Sequence, residues 1–378
     1  MISDSRRTSG PAPHLGPVRA VIDCVRLMFT FSGRASRSAF IWPVIFALIV
    51  IVVASLVYHA LVPATVSFGY IRFVTVTVAL PLLPLGVRRL HDMGMSGWWA
   101  LLWLVPYVGF ILTLFAAFKR AELGTNQYDH SDPSVFGQIA VVGGFVALVG
   151  VTFAVQPFWI PGGSMKPTVV VGDYITVSTT AYGLPCFGLC GDADRMLQRN
   201  PDRGDVVVFK HPVTGRDFIK RVIAVSGDTV ALEDGQVVVN GAGLTQTAQG
   251  DYVEPMEMQG LGHALPRCRT VTPLGGRCAK SLLQETTSDG RRYGILDISR
   301  TQADSMAQIT VPDGMIFVLG DNRDNSADSR MAQAAGGVGF VPVENLVGRA
   351  TRVVVSNAGF ALWDPTGFRG ARFWTKIR

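Results

Sequence analysis

The chain has 378 residues, 48% of them hydrophobic and 16% charged, with a formal net charge of +6. That length allows two or three domains, and the apolar excess argues against an ordinary soluble globular protein. The positive charge does not point to nucleic acid. Arg6, Arg7, Arg19, Arg26, Arg34, Arg37, Arg88, Arg89, Lys119 and Arg120 all flank apolar runs, where basic residues mark the cytoplasmic side of a membrane and meet anionic lipid.

Residues 1–38 read as a basic N-terminal segment, mobile or interfacial, and carry no cleavable signal pattern. Four apolar stretches follow: Ala39–Val62, Ile71–Val87, Trp98–Phe118 and Val135–Val155. Each is about long enough to cross a hydrocarbon core of ~30 Å as a helix, so a membrane protein is expected. Residues 39–134 form a membrane module ending in the polar linker "GTNQYDHSDPS", and residues 135–157 form a transmembrane anchor. Were all four stretches to cross, the C-terminal half would share a side with the N-terminus, against the charges of the basic loops. Trp98–Phe118 is therefore expected to be a re-entrant or surface-lying hairpin bent at Pro106-Tyr107-Val108-Gly109, which places the C-terminal half outside. The loop "VRRLHDMG" is expected to be held by charge and lipid, with a ligand site around His91 and Asp92 as the alternative.

After the anchor the texture changes to short β-branched runs punctuated by Gly, Asp and Pro, such as "GDYITVS", "GDVVVFKH", "FIKRVIAVSGDTVAL" and "RATRVVVS". They predict an N-terminal α-helical transmembrane module followed by a mainly antiparallel β domain over 158–356, a barrel or a pair of packed sheets. Asp234-Gly235 predicts a two-residue hairpin turn. Residues 242–310 read as a polar, irregular insertion, and 357–378 as a basic aromatic tail, either solvated or touching the membrane. Cys24 is expected unpaired. Cys268 and Cys278 flank a Pro/Gly-rich turn that could close as a disulfide in an extracytoplasmic domain. Cys186 and Cys190 suit either a tight loop or two buried thiols. No four-ligand zinc spacing is present, and neither a metal nor an organic cofactor is implied.

A serine in "WIPGGSMKPT" would ordinarily just turn the chain. Lys220, however, sits inside the apolar run Phe218, Ile219, Val222, Ile223, where burial disfavours the ammonium and lowers its pKa. A neutral lysine can take the proton of a serine hydroxyl, and Ser–Lys pairs are a known variant of the serine nucleophile. His211 and His263 lack a recognisable partner motif. The segment "LGDNRDNSADSR" fails the EF-hand template, with Ser326 where Gly is needed and Ala332 where Glu is needed. It reads instead as a polar hub cross-linking strands and holding Lys220 in place.

Two resemblances follow from these segments. "FSGRASRSAFIW", "VRRLHDMGMSGWW" and "GTNQYD" resemble DUF805, a family of small bacterial membrane proteins of unknown function, over roughly Cys24 to Pro133. "GGSMKPTVVVGD", "RGDVVVFKHP…DFIKRVIAVSGD" and "GDNRDNSADSR", followed by "GFVPVENLVGRA", resemble bacterial type I signal peptidases in the family's order. That resemblance implies Ser164 as nucleophile, Lys220 as general base and Ser326 as the hydroxyl orienting the lysine. Asp321, Arg323, Asp328 and Arg330 match a supporting polar network. Phe158, Ile160, Pro161, Met165, Val169, Phe218 and Ile219 match positions lining shallow pockets for small side chains. Gly162 stands where the enterobacterial pattern has a serine whose hydroxyl helps bind the oxyanion.

The resemblance implies a serine endopeptidase of the bacterial inner membrane, cutting signal peptides from secreted preproteins after Ala-x-Ala sites on the extracytoplasmic side, with the bilayer as its second partner. Two other readings compete. A self-cleaving repressor uses related Ser–Lys chemistry but is soluble and carries a DNA-binding helix-turn-helix, which is not found here. A membrane scaffold with a partner-binding β domain would not need Ser164 and Lys220.

Overall fold

The structure, a computed structural model, describes residues 14–61, 69–104, 106–122, 124, 126–128, 143, 150, 154–185, 195–259, 264–358 and 365–378. It divides into two compact units, Met1–Thr152 and Phe153–Arg378.

In the first unit, α1 (Pro17–Arg26), α2 (Arg37–Leu61) and α3 (Gly69–Asp92) are followed by a 3-10 turn at Gly97–Leu104 and by α4 (Pro106–Phe118). Among the described residues one helical segment, Arg37–Leu56 of α2, is long and apolar enough to cross a membrane. Trp103 Nε1 donates to Thr113 Oγ1 at 2.9 Å. Ten residues of continuous helix would rise ~15 Å, so the third apolar stretch reverses on itself, as the hairpin reading expects. Pro106–Gly109 is itself helical, so the bend does not fall within it. Proline suits the first turn of a helix, where its missing N–H costs nothing, so Pro106 opens α4 instead of breaking it. Most of Val135–Val155 lies outside the described residues.

The "VRRLHDMG" and "GTNQYD" fragments meet. Asp92 is fully buried between Arg34 Nε at 3.0 Å and Arg89 Nη1. His91 stacks on Tyr128 with ring centroids 4.1 Å apart, and Asn126 Nδ2 donates to the His91 carbonyl. The polar groups of the alternative ligand site are thus committed to each other, which favours the reading of a loop held by charge. Cys24 is free and buried.

The second unit is antiparallel β. Its strands are β1 (Val155–Trp159), β2 (Asp173–Ser178), β3 (Leu184–Pro185), β4 (Arg195–Met196), β5 (Val206–Lys210) and β6 (Asp217–Val225). Next come β7 (Thr229–Glu233), β8 (Gln236–Val239), β9 (Ala242–Gly243), β10 (Thr245–Pro255), β11 (Arg277–Thr286) and β12 (Arg292–Asp297). The last are β13 (Met306–Thr310), β14 (Met315–Leu319), β15 (Val341–Pro342) and β16 (Leu346–Ser356). The main sheet runs β1-β2-β16-β5-β6-β14-β15. Val155 opens β1, so residues 155–157, assigned to the anchor, are sheet. β2 alternates buried and half-buried residues, the pattern of a strand with one covered face. β5 has four consecutive buried residues, as a central strand covered on both sides requires. Asp234 and Gly235 both have positive φ and close the β7–β8 hairpin, with Glu233 paired to Gln236. That is the two-residue turn predicted.

Two expectations are corrected. Residues 242–310 are not irregular: β10, β11 and β12 form their own sheet, and β13 joins β7. The described part of the C-terminal tail, although most of its residues are exposed, is not a free tail but is tied to the sheet. Arg372 Nη2 donates to Asp173 Oδ2 at 2.6 Å, Ile377 N donates to the Thr351 carbonyl, and the Ile377 side chain is buried in the core. A buried carboxylate needs a cation, and the tail supplies it. Cys186 and Cys190 lie outside the described residues, while Cys268 and Cys278 form a disulfide.

Candidate active site

The turn after β1 is pinned before it reaches the serine. Ile160 N donates to the Asp173 carbonyl and Gly172 N returns to Ile160, each at 2.9 Å. Ser164 follows on the half-buried turn. Its backbone is gripped from the loop after β14: Asn322 N donates to the Ser164 carbonyl at 3.0 Å and Asn322 Nδ2 to the Gly163 carbonyl at 2.9 Å. Gly320 makes this approach possible, because a Cβ there would lie 2.6 Å from the Ser164 carbonyl oxygen and 2.2 Å from Ser326 Oγ.

Lys220 lies mid-strand in β6, opposite Val207 of β5. It is 3% exposed. Its Nζ is 2.7 Å from Ser164 Oγ and donates to the Ile219 carbonyl at 3.0 Å. Burial lowers its pKa to about 8, with Asp328 and Asp321 opposing the fall. Neither carboxylate is free to bind it. Asp321 accepts Arg221 in two parallel bonds, Nε to Oδ1 and Nη2 to Oδ2, both 2.7 Å. Asp328 accepts Arg330 Nε at 2.9 Å and Nη2 at 3.0 Å. The amine therefore sits near negative charge without a salt bridge of its own among the described residues, which keeps its neutral form accessible.

The remaining candidates separate. Arg323 Nη1 donates to Glu285 Oε1 at 3.0 Å and Nη2 to Oε2, so its partner comes from β11. Ser326 sits beside Gly320, but its hydroxyl is buried without a hydrogen-bond partner among the described residues and makes no hydrogen bond to Lys220. Ile160, Met165 and Val169 pack in one cluster with Phe158 and Ile219 at its edge. Met165 and Val169 are fully buried there, so they lie beneath the surface that a substrate would touch. Pro161 is exposed. Phe218 belongs to the cluster on the other side, beside Phe209 and the His211 ring. Strand alternation separates it from Ile219. His211 is structural: its Nδ1 accepts Val213 N and Thr214 N, and Nε2 faces the Gly337 carbonyl.

Sequence reasoning missed Arg221, Gly320, Asn322 and Glu285. Arg221, Gly320 and Asn322 stand within the quoted motifs, so adjacency was their only signal. Glu285 had none.

Residues 134–355, more than half the chain, match the family described as signal peptidase, peptidase S26. The chain belongs to the signal peptidase family. Residues 28–130 match DUF805, a protein family of unknown function. Among signal peptidase relatives, signal peptidase I of Pseudomonas aeruginosa is 33% identical over 265 residues, spanning 65% of this chain and 85% of that protein. Signal peptidase I of Haemophilus influenzae is 32% identical, spanning 60% and 71%. That of Pseudomonas fluorescens is 36% identical over 220 residues, spanning 56% and 69%. A crystal structure of a signal peptidase I from Enterococcus faecalis is matched at 26% identity over 40% of this chain and 97% of that one, with a TM-score of 0.21, too low to bear on the fold.

Proposed function

We propose that this signal peptidase is anchored in the bacterial inner membrane and cleaves preproteins after Ala-x-Ala sites on the extracytoplasmic side, with Ser164 as nucleophile and neutral Lys220 as base. The observation that carries the mechanism is the 2.7 Å separation between Ser164 Oγ and the buried Lys220 Nζ. Lys220 takes the hydroxyl proton as Ser164 Oγ bonds to the scissile carbonyl carbon, then gives it to the leaving amine. Water releases the acyl group from Ser164, with Lys220 again as base. The Ser164 N–H donates to no protein acceptor among the described residues, which suits an oxyanion donor. Gly162 contributes no side chain to that role.

The half-buried Phe158 and Ile219 and the exposed Pro161 offer shallow apolar surface beside the serine, a fit for small side chains. The four apolar stretches and their flanking arginines support several crossings, with the β domain outside. The Cys268–Cys278 disulfide agrees with an oxidising compartment.

The test is cleavage of a preprotein with an Ala-x-Ala site in detergent by wild type, Ser164→Ala and Lys220→Ala. Cleavage after the second alanine by wild type alone is expected. Unchanged cleavage by either folded variant would overturn the mechanism.

A further inference from the structure

Two positions after Ser164 stands a buried cation that the peptidase mechanism does not use. Lys166 is 3% exposed. Its Nζ donates to Glu254 Oε2, at the end of β10, and to Gln259 Oε1 just beyond it at 2.5 Å. Glu254 Oε1 accepts the fully buried Lys280 Nζ of β11 at 2.5 Å, and Gln259 Nε2 donates to Glu254 Oε2 at 3.0 Å. Burial disfavours the Lys166 ammonium, and the Glu254 carboxylate opposes that effect. Burial would likewise raise the Glu254 carboxyl, but the bonds from Gln259, Lys166 and Lys280 hold it below its ordinary range. A buried ion pair costs desolvation that an apolar side chain would avoid, so what it supplies here is a fixed side-chain path rather than stability.

That path crosses the nucleophile turn. A Cβ on Gly163 would lie 3.2 Å from Lys166 Cε and 3.5 Å from Cδ, so the lysine stem runs over the Gly163 Cα. Lys166 N also donates to the Gly163 carbonyl at 3.3 Å, the same carbonyl that Asn322 Nδ2 reaches from the loop after β14. Pro167 lies against β12, where a Cβ on Gly294 would come within 3.0 Å of Pro167 Cγ. The sheet of β10, β11 and β12 thus meets the chain directly after the serine. The charges acting on Lys220 are Asp328 and Asp321, outside this cluster. Its hold on the reaction is therefore through the placement of Ser164.

We propose, resting on the Ser164–Lys220 mechanism, that Lys166 and Glu254 are positioning residues: their ion pair fixes the Lys166 stem over Gly163 and so keeps Ser164 Oγ within reach of Lys220. The test measures kcat and KM of the full chain in detergent, on the same preprotein, for Lys166→Met, Glu254→Gln and the double variant. Lys166→Met keeps an unbranched stem and leaves Glu254 paired with Lys280, so it removes the tether without stranding a charge. A misplacement of ~1 Å costs about a hundredfold, and loosening one tether of the turn should lower kcat about tenfold. KM should stay within about twofold of wild type. Thermal unfolding and the pH at which the rate levels off should match wild type, since Lys220 is untouched. Because the pair acts as one unit, the double variant should be no slower than the slower single variant. Wild-type kcat in Lys166→Met would overturn the proposal, even if Glu254→Gln fails to fold. So would a raised KM at unchanged kcat, which makes Lys166 a substrate contact, or single losses that multiply in the double variant. A wild-type rate that does not rise with pH would reject the Ser164–Lys220 mechanism and this proposal with it, whereas the variant outcomes reject the proposal alone.

Discussion

A lysine serves as a base only while something stops it from finding a carboxylate. Lys220 has two within electrostatic reach, yet Arg221 occupies Asp321 and Arg330 occupies Asp328. The catalytic assignment thus depends on arginines that do no chemistry. Residues at van der Waals limits matter as much. Gly320→Ala would drive a methyl group into the Ser164 carbonyl and the Ser326 hydroxyl, and a displacement of that size should lower kcat on the order of a hundredfold. Gly162→Ser is the contrasting case, because a Cβ there meets nothing within 4 Å. Turnover of Gly162→Ser should equal or exceed wild type in the same preprotein assay, and a large drop would show that glycine geometry is required. Ser164 and Lys220 were legible because each stands in an unusual context. Arg221 was not, since strand alternation points it away from Lys220, and only the loop after β14 gives it Asp321.

At the scale of elements, the segment least legible in sequence has a structural hold on the site. β10 is mostly exposed, so it lacks the apolar alternation that reveals a strand, and 242–310 read as irregular. Yet β11 sends the fully buried Glu285 to Arg323, and Leu296 at the end of β12 bridges Asn322. Burial would raise the Glu285 carboxyl, but the Arg323 charge outweighs it and holds the group below its ordinary range. Glu285→Gln would leave Arg323 charged and under-compensated, at a cost of roughly 3–5 kcal/mol. Denaturant unfolding should show that loss together with reduced kcat, and unchanged stability would contradict the link. The β7–β8 hairpin was legible because Asp-Gly can satisfy two positive φ angles locally. The placement of β11 depends on contacts distant in sequence, which no local pattern reports.

At the scale of the whole molecule, two units meet two demands: one carries the apolar helices and arginine-rich loops, the other the site. The reversal within the third apolar stretch fits the proposed topology, in which that stretch does not cross and the β domain is external. A reporter fused at Gly124 should therefore read as cytoplasmic, and an extracytoplasmic reading would sink the topology. Composition made the division legible, because the hydrophobic texture changes near Val155. The docking of the C-terminal tail was not legible, since Arg372 finds Asp173 only after the sheet has formed.

The central claim is that a buried, neutral Lys220 activates Ser164, and the dependence of kcat/KM on pH tests it most directly. The protonated amine cannot accept the serine proton, and the folded-state pKa is about 8. The rate should therefore climb with pH, roughly tenfold per unit below 8, and level off above it. A profile flat from about pH 6 to 9, or the same acid limb retained at measurable rate in Lys220→Ala, would contradict the account.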